Sequence, residues 1–150
     1  MIAVLLALSC GSELWSQKIL TDKGAAAALA PAPVTSTVAA LGALPRSARR
    51  RAYIVTGTVA LVKLEADSDL HVVLQDGART MIVEFPDPAC AQGSLAYAAI
   101  VRARKQAAAL FVGERVRVTG MLFMDRRHGQ VGVAPNAAEL HPVFSVVKRP

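Results

Sequence analysis

Three strand-like segments, one helical segment and two further strand-like segments follow one another between Tyr53 and Val147. This order predicts a mainly β fold, a five-stranded OB-type barrel with one helix between strands three and four, preceded by an extended N-terminal arm. The repeated Val-Thr-Gly, at Val55-Thr56-Gly57 and Val118-Thr119-Gly120, supports it by placing a bend in the first and fourth strands. A split two-sheet sandwich is the alternative, and the single helix counts against it.

The first strand is read over Tyr53 to Leu64, a long β-branched run. After the acidic turn Glu65-Ala66-Asp67-Ser68-Asp69, strands two (Leu70 to Gln75) and three (Arg79 to Phe85) form a hairpin around Asp76-Gly77-Ala78. Pairing then sets Leu74 opposite Met81, Val72 opposite Val83 and Leu70 opposite Phe85 on a core face. The other face carries His71 across from Glu84, Val73 across from Ile82 and Gln75 across from Thr80.

Helical spacing follows in Leu95, Ala98, Ala99, Val101, Arg102, Lys105 and Ala109, with Ser94 as cap and Gly113 beyond the end. Arg102, Arg104 and Lys105 are expected on its exposed side. Strand four is Arg115 to Met124 and the last strand is Glu139 to Val147. The loop between them, Asp125 to Asn136, is expected to carry function, because binding residues concentrate on loops held by a rigid scaffold.

Ahead of the barrel, residues 1–12 read as an export signal and 13–51 as an Ala/Pro-rich arm with a basic linker; the barrel domain is 52–150. The apolar run Ile2 to Leu8 is too short to span a membrane, which takes about 20 residues. Cys10, after a small residue, resembles a lipid acceptor site that would anchor the protein to a membrane surface. A cleaved or acylated Cys10 leaves Cys90 single, a packed thiol with no disulfide framework expected. Val38, Leu41 and Leu44 suggest a short helix docked on the barrel and ended by Pro45, and Trp15 is the arm's one large anchor.

The chain is 53% hydrophobic but only 5% aromatic, so its apolar content is mainly Ala, Val and Leu, which suits a packed globule. The net charge of +6 would suggest a nucleic-acid partner, but Arg46, Arg49, Arg50 and Arg51 supply much of it from the linker. The predicted outer face of strands two and three has no Phe, Tyr or Trp on which bases could stack. A nucleic-acid partner would have to use Arg115 and Arg117, which share a face of strand four.

The segments Lys63 to His71, Met81 to Cys90, Val118-Thr119-Gly120, His128-Gly129-Gln130-Val131-Gly132-Val133-Ala134-Pro135-Asn136 and Glu139-Leu140-His141-Pro142 together resemble a family of small exported bacterial OB-fold-like proteins with no assigned activity. The resemblance implies a secreted or periplasmic location, and through Lys18 to Asp22 and Thr37 to Pro45 it implies that the arm belongs to the folded unit. Where this chain has Met124-Asp125-Arg126-Arg127, the family tends to have Phe-Asp-Phe-Leu, so apolar surface is lost at the loop.

Each histidine stands near an acid: His71 across from Glu84, His128 after Asp125, and His141 two residues beyond Glu139 on one strand face. With Gln130 and Asn136 these are the candidate ligand-binding residues. No pair has diagnostic metal spacing and no Ser-His-Asp or Cys-His order stands out, so no metal, other cofactor or catalytic residue is expected. The expected function is an exported binding module for a ligand or protein partner at the cell surface. The enzyme alternative is a metal-dependent phosphodiesterase drawing on Asp67, Asp69, Glu84, Asp87 and Arg79. A cluster of the acids in one cleft would favour the enzyme, and a flat surface the module.

Overall fold

The computed structural model describes residues 10–11 and 14–150. The apolar run expected to be an export signal lies outside these residues. Among the described residues no helix is long and apolar enough to cross a membrane.

The barrel is an OB-type barrel of five strands, β2 (Ala52–Leu64), β3 (Leu70–Asp76), β4 (Arg79–Phe85), β5 (Arg115–Met124) and β6 (Ala138–Lys148), with a two-residue strand β1 (Val34–Thr35) added outside. Neighbours run β2-β3-β4-β6-β5, and β5 pairs back with β2 to close the ring. Closure removes the unpaired edges that an open sheet would leave. Every contact is antiparallel except β4 with β6, where Ile82 pairs with Glu139 and Val83 with Leu140, and β1 with β2.

The hairpin has the register that side-chain alternation predicts, from Leu70 opposite Phe85 to Gln75 opposite Thr80. Its inward face, Val72, Leu74, Met81, Val83 and Phe85, meets Val55, Val59, Val116, Val118, Leu140, Val143 and Val146 in one core. The bend in β5 falls at Gly120, where register shifts between Thr119 and Leu122. A Cβ there would sit 3.0 Å from Leu140 Cβ and Pro142 O, so only glycine lets β6 approach this closely. In β2 the irregularity falls between Val59 and Leu61, past the glycine expected to mark it.

The helix between the third and fourth barrel strands is α4 (Tyr97–Ala107), preceded by a 3₁₀ turn at Pro88–Cys90. Its buried stripe is Ile100, Ala103 and Ala107, not the Leu95, Ala98, Val101, Arg102 series; Leu95 is exposed. The alanine-rich sequence offers two apolar faces, and the barrel selects the one whose small residues fit closest. Ser94, two residues ahead of the helix's N-terminal cap position, accepts from the amide of Ala96 and is not the cap. Arg104 is half-buried rather than exposed: it donates to Ser68 O at 3.0 Å and Phe85 O at 2.6 Å. Arg104→Ala is therefore expected to lower stability by about 2 kcal/mol in urea unfolding, because two carbonyls lose a charged donor.

The arm is folded onto the barrel, not extended. Three short helices, α1 (Trp15–Lys18), α2 (Ala25–Leu29) and α3 (Val38–Gly42), pack through small or branched side chains. Leu20, Ala25 and Ala28 cluster with Ala52 and Met121, while Ile19 meets Ala91 and Ile100. Val38 and Leu41 enter the main core, with Leu44 packed against it, as their spacing implies. The basic linker is tied down as well. Arg50 pairs with Asp22 at 3.0 Å, Arg51 donates to Ala32 O, and Arg46 donates to Asn136 O.

Cys10 and Cys90 form a disulfide across 80 residues of sequence. This corrects the expectation of a single Cys90 thiol and of a lipid on Cys10, whose sulfur is committed to the bond. The pairing is not legible in the sequence because an irregular arm gives no hint that its start returns to the loop after β4.

Candidate functional site

Alternation along three adjacent strands builds the site. His71 and Val73 on β3, Ile82 and Glu84 on β4, and Glu139 and His141 on β6 all point away from the barrel core. That outer face is not exposed to solvent: His71, Val73, Ile82, Glu139 and His141 are buried, and Glu84 is 8% exposed. The loop from Asp125 to Ala137 folds over it. His71 Nε2 donates to Val131 O at 3.0 Å. Gly132, at φ +80°, lies so close to Val73 that a Cβ would collide with both Val73 methyl groups. Gly132→Ala is thus expected to cost roughly 2 kcal/mol or more through overpacking and left-handed strain. It should also speed hydrogen exchange at the Asp125 amide, which bonds Ala137 O across the loop base.

Between this loop and the 65–69 turn lies a cavity of about 510 Å³. Seven of the eight residues singled out in the sequence line it: His71, Glu84, Asp125, His128, Gln130, Glu139 and His141. Asn136 does not. Its Nδ2 donates to Leu41 O and Leu44 O and its Oδ1 accepts from the Ala138 amide, so it fastens α3 to the loop. Lys18, Lys63, Glu65, Asp67 and Asp69 complete the polar lining. Asp69 was legible, since it closes the acidic turn just ahead of His71 and stood among the phosphodiesterase candidates. Lys18 was not, because it arrives from the arm.

Two acid–imidazole groups stand side by side. His71 Nδ1 is 2.7 Å from Glu84 Oε1, while its Nε2 faces a carbonyl that can only accept. One proton is therefore shared between His71 and Glu84. Burial is the largest single influence and works against the imidazolium, but the hydrogen bond and charge of Glu84, the Val131 carbonyl and the Glu65 charge together outweigh it, and His71 lies above its ordinary value. Burial likewise lifts the Glu84 carboxyl, with the His71 bond opposing.

His141 is buried between Glu139 Oε1, 3.1 Å from Nδ1, and Asp69 Oδ2, 3.3 Å from Nε2. Burial lowers its pKa, yet the two carboxylates more than compensate and hold it at about 9, so it is an imidazolium at neutral pH. The Nε2–Oδ2 contact is poorly aligned and counts as an ion contact, not a hydrogen bond. Trp15 and Phe123 stand edge-on to the imidazole at 6.4 and 6.0 Å, and Trp15 is itself held by donating to Cys90 O. Asp69 is fixed by accepting from the Asp87 amide.

At the rim, the exposed His128 lies 3.4 Å from Asp125 Oδ2, and Gln130 donates to Arg126 O and accepts from the His128 amide. Among the described residues no group of three or more His, Cys, Asp or Glu has the arrangement to hold a metal ion. Of the phosphodiesterase set, Asp67, Asp69 and Glu84 reach the cavity. Arg79 is exposed opposite Asp76 at the hairpin end, and Asp87 caps the 3₁₀ turn.

No family model matches the chain, and no curated protein matches it either. Solved structures do resemble it. A protein from Leishmania major Friedlin assigned as an aspartyl-tRNA synthetase superposes with a TM-score of 0.54 at 12% identity, covering 81% of this chain and 24% of that one. The asparaginyl-tRNA synthetase of Entamoeba histolytica gives 0.52 at 14% identity, covering 80% and 25%. This chain thus spans about a quarter of each synthetase. A small single-stranded DNA-binding protein from Streptomyces coelicolor aligns at a TM-score of 0.40 and 16% identity over 69% of this chain and 96% of its own. At such identities the likeness concerns the fold, and the fold is the OB barrel.

Proposed function

We propose that the protein is an exported OB-barrel binding module whose ligand occupies the cavity between the 65–69 turn and the 125–137 loop. OB barrels present ligands to the second and third barrel strands and to the loops joining strands one to two and four to five. The cavity lies on that face and between those two loops. The observation that carries the reading is Glu84 Oε2, a buried carboxylate oxygen lining the cavity with no hydrogen-bond partner among the described residues. A buried polar atom left this way costs about 1–3 kcal/mol, which a ligand that pairs with it would offset.

Export is supported by the Cys10–Cys90 bond, since such bonds persist in oxidising compartments. A nucleic-acid ligand is disfavoured: the cavity is lined with carboxylates, and Arg46, Arg50 and Arg51 are engaged with the arm and loop. Ligand-observed NMR of a small-fragment library, repeated with Gly132→Ala, tests the reading. Hits that weaken in the variant are expected; hits indifferent to it would move the site elsewhere.

The gathering of Asp67, Asp69 and Glu84 in one cleft is the one feature that favours a metal-dependent phosphodiesterase as a second reading, and the lack of a metal-holding group among the described residues weighs against it. It requires cleavage of a phosphodiester that appears with added Mg²⁺, Ca²⁺ or Zn²⁺ and is lost in Glu84→Gln. No cleavage with any of the three metals removes it.

A further inference from the structure

We propose that the ligand of this cavity is a small organic molecule bearing a primary or secondary ammonium group, seated against Glu84 and Asp69; this rests on the binding reading above. Among the described residues six carboxylates line the cavity, on Glu65, Asp67, Asp69, Glu84, Asp125 and Glu139. The basic groups among the described residues that face them are fewer: Lys18, Lys63, the two buried imidazoles of His71 and His141, and the exposed His128 at the rim. Lys63 is spent on Glu65 at 3.3 Å, and Lys18 lies 5.3 Å over the Phe123 ring. His141 is enclosed by Asp69 and Glu139 and His71 is paired with Glu84 at 2.7 Å, so three buried carboxylates stand against two imidazoles and the deeper wall keeps an excess of acid.

The second, independent observation is the pair of buried oxygens without hydrogen bonds. Glu84 Oε2 has no partner among the described residues, and Asp69 Oδ2, with Asp69 only 1% exposed, has nothing but its misaligned contact with His141. Both residues line the cavity. Such oxygens call for N–H donors, and an ammonium supplies up to three around one charge.

Other cations fit less well. A quaternary ammonium has no N–H to give and is recognised by an aromatic cage, whereas among the described residues no Phe, Tyr or Trp lines this cavity. A bare metal ion needs three or more converging ligands, an arrangement that the described acids and histidines lack. A cavity of about 510 Å³ also suits a small organic molecule better than an ion.

The test is NMR titration of the ¹⁵N-labelled full chain with matched probes: putrescine against 1,4-butanediol, glucosamine against glucose, then tetramethylammonium, acetate and zinc chloride. Amines are expected to shift amides of residues 65–71, 82–84 and 139–141, with apparent affinity at least tenfold above that of their neutral counterparts. Glu84→Gln, which keeps the shape and is checked for folding by circular dichroism, is expected to weaken the amines at least tenfold and leave neutral probes unchanged. If it does not fold, Asp69→Asn serves in its place. Neutral, anionic or metal probes binding in the cavity with no preference for amines overturn the ammonium assignment and leave the cavity as the site. No shift at these residues with any probe overturns both.

Discussion

Replacing His141 by leucine is expected to destabilise the fold by about 3–5 kcal/mol, the usual cost of removing one member of a buried ion group. The imidazolium lies between Asp69 and Glu139, all three buried, so its loss leaves two carboxylates facing each other with no cation between them. Adding Asp69→Asn and Glu139→Gln should recover a large part of the loss, because neutral amides replace the uncompensated charges. The pH dependence has a definite sign. His141 titrates near 6.5 when unfolded and at about 9 when folded, so its stabilisation is complete below pH 6.5 and is lost as pH rises through 9. His71, also raised, contributes in the same sense above 6.5, so the variant should show a shallower decline than the native protein, not a flat one. Urea midpoints at pH 6, 7.5 and 9 measure this. A His141→Leu midpoint equal to the native one, with an unchanged slope against pH, would contradict the account.

Reduction of the Cys10–Cys90 bond is expected to have the next largest effect. A crosslink closing 80 residues constrains the unfolded chain by roughly 4 kcal/mol in the loop-entropy model. The loss should first free the arm. Trp15, the chain's one tryptophan, donates to Cys90 O and packs beside Ile19 and Ala91, so its fluorescence reports that end of the arm. Reductant, or Cys90→Ser, should red-shift the emission and lower the unfolding midpoint. Emission unchanged by reduction would mean that the helices hold the arm without the bond.

The barrel was readable because its code is local. Alternation in Leu70–Asp76 and Arg79–Phe85, with Gly77 between them, is enough to set the hairpin register, and that register alone brings His71 to Glu84. What escaped the sequence was tertiary. Gly132 tucking the loop against Val73 turned an exposed face into a buried one, and alternation cannot tell a face covered by a loop from one open to water. The buried stripe of α4 departs from the expected one because alanine is apolar on every side. The gathering of His71, Glu84, Glu139 and His141 depends on β4 lying parallel to β6, a pairing between strands more than 50 residues apart. The disulfide likewise needed the path of the arm.

The most direct test of the central claim is to crystallise the protein with a soaked fragment mixture and locate the density. The account predicts an occupant between the 65–69 turn and the 125–137 loop, within hydrogen-bond reach of Glu84. Occupancy confined to the exposed Arg115 and Arg117 face of β5, with this cavity empty in every soak, would contradict it.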